Sequence, residues 1–127
     1  MFTVQETCNN TIEVMKSKFI AYLVPLSNEE DFKPLLASLR KEHKKARHVV
    51  YAYRVGMKSK SSDDGEPKGT AGHPLLEFLY KKDINNVALL VVRYFGGTKL
   101  GASRLLRTYL QAGIDVINKS DLVALER

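Results

Sequence analysis

The run of residues 87–92 restricts the fold of this chain more than any other feature, because it is apolar throughout. Such a run is typical of a strand near the centre of a sheet, covered by helices on at least one face. The glycine-rich segment 93–101 follows it, and apolar residues recur at helical spacing from Ala102 onward. A strand that leads through a glycine turn into a helix is an arrangement proteins use to hold anions, since the first helical N–H groups are free.

The remainder of the chain alternates between strand and helix patterns. Strands are predicted at residues 2–4, 11–15, 19–24 and 48–55, and helices near residues 31–43, from Pro74 onward and from Ala102 onward. The polar segment 57–67 is predicted to be a mobile loop. This order predicts an α+β fold: a two-layer α/β sandwich with a mixed sheet of about four strands and the helices packed on one face.

The charge of the chain favours acidic partners. Its 127 residues carry a net charge of +6, which is typical of, although not specific to, nucleic-acid-binding domains. No Asp or Glu lies between Asp83 and Asp115, so nothing in that segment neutralises its cations. The single cysteine, Cys8, fits a reducing cytoplasm, and the absence of a long apolar run excludes a membrane-spanning helix.

Two glycine-containing segments are the candidate anion sites. Glycines at positions 96 and 97 would allow close approach of a phosphate, and Tyr94 is placed to stack on a base. The segment 69–74 also leads into a helix, and we expect the two segments to form one cleft. The spacing matches neither a P-loop nor a dinucleotide-binding motif. The residues predicted to bind phosphate or nucleic acid are Arg47, Gly69, Thr70, Gly72, Arg93, Tyr94, Gly96, Gly97, Lys99, Arg104 and Arg107.

Two other classes of function remain open at this point. Asp63, Asp64 and Glu66, with His48 or His73 as a base, are candidate catalytic residues of a small enzyme that acts on a phosphorylated metabolite or nucleotide. Mg²⁺ enters only with this alternative, because carboxylates together with substrate phosphates are its usual ligands; otherwise no metal site or cofactor is predicted. A protein-interaction domain with a basic docking face is the third alternative.

Four segments of the chain resemble one known family. The motifs are KFIA at residues 18–21, ARHVVYAYR at 46–54, SDDGEPKGTAGHP at 62–74 and RYFGGTKLG at 93–101, and they resemble the IMPACT/YigZ family in the family's order. Arg104 and Lys68 depart from the family pattern, which usually has glycine and a small residue at these positions. Both departures add positive charge beside the glycine-rich motifs.

The resemblance carries expectations about fold and function. It implies a fold like the second domain of ribosomal small-subunit protein five, and a single domain over residues 1–127 without the ferredoxin-like C-terminal domain that bacterial members usually carry. It also implies a nucleic-acid-binding or translation-linked role. The leading prediction is therefore a cytoplasmic, non-enzymatic module that binds RNA, the ribosome or another polyanion, with a small phosphorylated ligand as the alternative.

Overall fold

The computed structural model of this chain describes residues 1–126. Within them the chain forms seven strands and three α-helices, and a short 3-10 turn at Glu29–Asp31 leads into the first helix. In chain order the elements are β1 (Phe2–Val4), β2 (Cys8–Val14), β3 (Ser17–Pro25), α1 (Phe32–Glu42), β4 (His48–Val55), β5 (Lys58–Ser62), α2 (Gly72–Lys81), β6 (Val87–Tyr94), α3 (Ala102–Lys119) and β7 (Leu122–Ala124).

The main sheet has five strands in the order β2-β3-β6-β4-β5, and β1 pairs with β7 in a separate two-stranded sheet. Strand β6 lies at the centre, as its apolar run predicts, and it pairs with β3 and β4. In this register Arg93, near the end of β6, lies opposite Phe19 on one side and His48 on the other. The end of β6 and the starts of β3 and β4 therefore meet at one end of the sheet.

Helices cover both faces of the main sheet. Because successive residues of a strand point to opposite faces, Leu89 packs into a core that includes Leu75 of α2 and Tyr109 of α3. Its neighbour Leu90 packs into a second core with Phe32 of α1. The sheet is thus the middle of three layers.

The α+β class predicted from the sequence is confirmed, and three details of the arrangement need correction. The main sheet has five strands rather than about four, and all its pairings are antiparallel rather than mixed. Helix α1 covers the face opposite α2 and α3, so the helices do not share one face and the sandwich has three layers rather than the predicted two. Helical periodicity identifies the apolar side of α1, but it does not say which face of a sheet that side will cover.

The segment predicted to be a mobile loop contains strand β5, whose sequence KSKSS has no apolar alternation. It forms an edge strand that pairs only with β4, so it needs no buried face to be stable. The other predicted elements begin and end close to their predicted positions, although α2 starts at Gly72, before Pro74. Strand β7, which pairs with β1, was not predicted. None of the helices in residues 1–126 has both the length and the apolar composition that crossing a bilayer requires.

Candidate functional site

A cavity of about 320 Å³ lies at the end of the sheet where β6 ends and β4 begins. It brings together five of the residues singled out in the sequence, and the start of α3 forms one of its walls. The lining residues are Arg47, His48, Glu66, Pro67, Arg93, Phe95, Lys99, Leu100, Gly101, Ala102 and Leu105. The prediction that the segments 69–74 and 93–101 form one cleft needs correction, because only 93–101 lines this cavity and the loop before α2 contributes Glu66 and Pro67, which precede residues 69–74.

The floor of the cavity is a buried ion pair between Arg93 and Glu66. Nη1 of Arg93 lies 2.6 Å from Oε2 of Glu66, and the two side chains are only 5% and 4% exposed. The hydroxyl of Tyr109 donates a short hydrogen bond to the same oxygen, and burial together with this carboxylate raises the pKa of Tyr109 well above its usual value. Arg93 is thus neutralised within the chain, although its Nε has no partner among the described residues.

His48 stands beside this pair with both ring nitrogens near protein oxygens. Nδ1 lies 2.7 Å from the backbone carbonyl of Asp64 and therefore carries the proton, because a carbonyl oxygen only accepts. Nε2 lies 3.4 Å from Oε1 of Glu66. In the described residues no group of three or more His, Cys, Asp or Glu side chains is arranged to hold a metal ion. His48 thus lies between the Asp64 carbonyl and the Glu66 carboxylate, and of the three candidate acidic residues only Glu66 lines the cavity.

Asp63 fills the anion site predicted at the second glycine-containing segment. Its carboxylate accepts hydrogen bonds from the N–H groups of Gly69 at 2.9 Å, Ala71 at 3.2 Å and Gly72 at 2.8 Å. Thr70 is also engaged, since its hydroxyl donates to the carbonyl oxygen of Pro67. The prediction that Gly69, Thr70 and Gly72 receive an external phosphate is corrected accordingly, because the chain's own carboxylate already occupies that position.

Asp64 fastens the same loop to the sheet. One of its carboxylate oxygens accepts a 2.7 Å hydrogen bond from the N–H of Val49, and the other lies 3.3 Å from the Arg40 guanidinium. Asp63 thus caps α2 and Asp64 ties the loop to β4, while Glu66 alone of the three reaches the cavity.

The glycines of the later turn have separate roles. A Cβ at Gly96 would overlap the backbone of Lys16 and Ser17, so this glycine lets the turn pack against the β2–β3 hairpin and does not face a ligand. Gly97 and Gly101 have φ angles of +94° and +79°, and no atom lies within 4 Å of where their Cβ would be. The open side of the turn is therefore at Gly97 and Gly101.

The first turn of α3 is uncapped at the edge of the cavity. Gly101 is its N-cap residue and supplies no side-chain hydrogen bond, and the first turn holds no acidic residue. The N–H groups at the start of a helix have no intrahelical acceptor, and the helix dipole makes this end attractive to anions. The structure thus leaves an anion site open here, in contrast to the start of α2.

Four exposed cations surround this helix start. Arg47 and Lys99 line the cavity, whereas Arg104 and Arg107 lie outside it on the exposed surface of the first two turns of α3. None of the four forms an ion pair with an acidic group in residues 1–126. Their positive charge therefore remains available to a ligand.

The aromatic residue at the cavity is Phe95, not Tyr94. Tyr94 lies on the α1 side of the sheet, where its hydroxyl is 2.6 Å from Nδ1 of His43. Phe95 is 38% exposed, and the Arg47 guanidinium carbon lies 4.6 Å from its ring centroid. The orientation of Tyr94 could have been predicted from strand alternation. If β6 extends to residue 94, Tyr94 points to the face opposite that of Val91 and Arg93.

Comparison with known proteins agrees with this description of the fold. Residues 15–117 match the family model of the Impact N-terminal domain. The chain is 39% identical over 125 residues to IMPACT family member YvyE of Bacillus subtilis, covering 96% of this chain and 58% of that protein. A crystal structure of a hypothetical protein superposes with a TM-score of 0.92 at 31% identity, covering 96% of this chain and 62% of the other.

A more distant structural neighbour has a described role. The two-domain translational regulator Yih1 superposes with a TM-score of 0.53 at 26% identity, covering 91% of this chain and 46% of that one. The chain spans 58% of the length of the bacterial relative above. The family resemblance of the four sequence motifs is thus confirmed over most of the chain, which belongs to the IMPACT family through its Impact N-terminal domain.

Proposed function

We propose that this domain binds RNA or a similar polyanion at the cavity beside the start of α3. The observation that carries the proposal is the uncapped N-terminus of α3, flanked by four cations that have no acidic partner in residues 1–126. Glu66 is the one carboxylate that lines the cavity, and Arg93 and Tyr109 already hold it. A phosphate at the helix start would gain both the free N–H groups and the positive field.

The cations have distinct positions toward such a ligand. Lys99 would contact the phosphate at the helix start, and Arg104 and Arg107 would contact the next phosphates along the surface of α3. Gly97 and Gly101 leave the backbone accessible. A base would stack on Phe95, whose ring Arg47 already covers on one side. Arg93, Tyr94 and Gly96 have partners inside the chain and stabilise the site instead of contacting the ligand.

An extended ligand accounts for these positions better than a small one. The cavity volume of about 320 Å³ suits a single nucleotide or phosphorylated metabolite. Arg104 and Arg107 lie beyond the lining, however, and a ligand confined to the cavity would leave both unused. We therefore place the small phosphorylated ligand second.

A role in translation regulation is consistent with the family. The neighbour Yih1 is described as a translational regulator, and ribosomal or messenger RNA is the polyanion such a role would supply. A cytoplasmic location is part of the same proposal. The free thiol of Cys8 supports it, because free cysteines are usual in a reducing compartment. Ribosome association and the identity of the RNA are parts of the proposal that binding measurements must test.

The direct test is fluorescence anisotropy with a labelled single-stranded RNA across a salt series. Each phosphate contact contributes about −0.7 to the slope of log affinity against log salt, so the contacts of Lys99, Arg104 and Arg107 predict a slope of about −2. The variant Lys99→Gln/Arg104→Gln removes two of these contacts and should reduce the slope to about −0.7. Excess mononucleotide that displaces the RNA would favour the small-ligand alternative.

A matched control separates this site from general charge. Lys58 and Lys60 are exposed on β5, and Lys58→Gln/Lys60→Gln removes the same charge at another part of the surface. This control should keep the slope of the unmodified protein. Equal losses in both double variants would attribute binding to net charge and contradict the proposed site.

A further inference from the structure

Two arginines are buried among residues 1–126, and only one of them has an acidic partner in that part of the chain. Arg93 is 4% exposed and pairs with Glu66, whereas Arg54 is 8% exposed. Within residues 1–126, no carboxylate oxygen lies within 4.0 Å of the Arg54 guanidinium. A buried charge is costly unless an opposite charge and hydrogen bonds compensate it, so Arg54 is an exception that needs an explanation.

The contacts of Arg54 compensate its charge only in part. Nη1 donates a 2.9 Å hydrogen bond to the carbonyl oxygen of Ile84, and the guanidinium carbon lies 4.0 Å from the ring centroid of Tyr80. Nε is buried and has no partner in the described part of the chain. These contacts hold the guanidinium against Tyr80. Nε is shielded from solvent and Nη1 is already bonded, so a carboxylate would reach the guanidinium at Nη2, which has no acceptor among the described residues.

The surface around Arg54 is apolar and exposed. Arg54 lines a cavity of about 380 Å³ whose wall includes Met1, Met57 and Leu125. Met57 is fully exposed and Tyr80 is 50% exposed. Exposed methionine and tyrosine beside a buried arginine are the side chains enriched at protein–protein interfaces.

This surface is at the opposite end of the sheet from the proposed RNA site. Arg54 lies near the end of β4, opposite Val87 at the start of β6, whereas His48 and Arg93 lie at the other end of the same strands. A ligand at either site therefore leaves the other site accessible.

We propose that this surface binds an apolar segment of a protein partner that carries one acidic side chain, whose carboxylate pairs with Arg54. The neighbouring apolar side chains of the partner would cover Met57 and Tyr80. A polyanion fits this surface poorly, because Arg54 is the one basic side chain in the described lining, the α-amino group of Met1 is paired with Asp83, and Glu126 also lines the cavity. The proposal does not depend on RNA binding at α3.

The test observes the Arg54 Nε–H resonance by NMR in the full chain. The probes are a blocked pentapeptide with one glutamate between leucines, the same peptide with glutamine in its place, and inorganic phosphate. We expect the glutamate peptide to shift Arg54 Nε–H and the amides of Gly56 and Met57, and to bind about tenfold more tightly than the glutamine peptide. The Nε–H of Arg93 serves as the internal control and should not move.

Variants make the outcome decisive. Arg54→Met should abolish the difference between the two peptides, and Arg54→Lys, which keeps the charge, should retain part of it if Arg54→Met fails to fold. Equal binding of both peptides, no binding of either, or a shift with phosphate but not with the glutamate peptide would overturn the proposal. So would an Arg54 Nε–H resonance that moves in Glu126→Gln without any peptide, since the partner would then lie in the chain itself.

Discussion

Glu66 and Arg93 form a buried ion pair of 2.6 Å that joins the loop before α2 to the end of β6. The pair also involves Tyr109 of α3, so it connects the loop before α2, the end of β6 and the middle of α3. Arg93 is buried under the cavity, whereas Lys99 and Arg104, to which we assign ligand contacts in the proposal, are exposed. Stability and binding can therefore be tested with different residues.

Removing Glu66 should destabilise the fold strongly. Glu66→Ala leaves the Arg93 charge buried without its partner, and we expect the free energy of unfolding to fall by about 3–5 kcal/mol in urea denaturation. Glu77→Ala is the matched control, because Glu77 pairs with His73 on the surface and an exposed pair contributes about 1 kcal/mol or less. Similar losses in the two variants would show that the buried pair contributes no more than a surface one.

Gly96 should tolerate substitution far less well than its neighbour. An alanine Cβ at position 96 would overlap the backbone of Lys16 and Ser17, so Gly96→Ala must displace the β2–β3 hairpin. Gly97→Ala meets no atom within 4 Å and adds only the strain of its positive φ, about 1–2 kcal/mol. The midpoint temperature of thermal unfolding should therefore be lower for Gly96→Ala than for Gly97→Ala. The reverse order would mean that the turn does not pack against the hairpin.

Asp63 should contribute to stability through the start of α2. Asp63→Ala leaves the three N–H groups of residues 69, 71 and 72 without their acceptor, and loss of such a cap costs about 1–2 kcal/mol. Chemical denaturation would measure this loss, with Asp121→Ala as an exposed control expected to change stability by less than about 0.5 kcal/mol. If Asp63→Ala did not lower the free energy of unfolding, the N–H groups would have other acceptors and the second anion site would be open after all.

Tyr53 should make the fold less stable in alkali. Burial, followed by the hydrogen bond to Glu29, raises the pKa of Tyr53 from 10.0 to about 12. Because the unfolded chain releases this proton more readily, the stabilisation is fully present below pH 10 and is lost as pH rises toward the folded-state pKa of about 12. The free energy of unfolding, measured by denaturation at several pH values in this range, should fall less steeply with pH for Tyr53→Phe than for the unmodified protein. The same pH dependence in both proteins would contradict the assigned pKa.

Much of the fold follows from apolar patterning. The run at residues 87–92 predicts the central strand, because β6 is buried on both faces. Helical spacing from Ala102 predicts α3, because that helix buries one side. Strand β5 could not be found in this way, since an edge strand of serines and lysines has no apolar pattern. The side of the sheet taken by α1 depends on packing between distant segments, which local periodicity does not encode.

The candidate site was predictable only in its local parts. The sequence places Lys99 and Arg104 beside a helix start, but the partner of Arg93 is 27 residues away in the chain and the spacing does not reveal it. The same holds for Asp63, which reaches forward to the amides that glycine composition alone would assign to a phosphate. Internal carboxylates thus decide which of two similar glycine segments stays open.

The measurement that tests the central claim most directly is an NMR titration of the amide-labelled protein with a short single-stranded RNA. At low salt we predict the largest chemical-shift changes at residues 97–104, Arg47 and Phe95. These changes should decrease steeply as the salt concentration rises. Shifts confined to the basic segment 40–45 at the end of α1, or no shifts at all in low salt, would contradict binding at the start of α3.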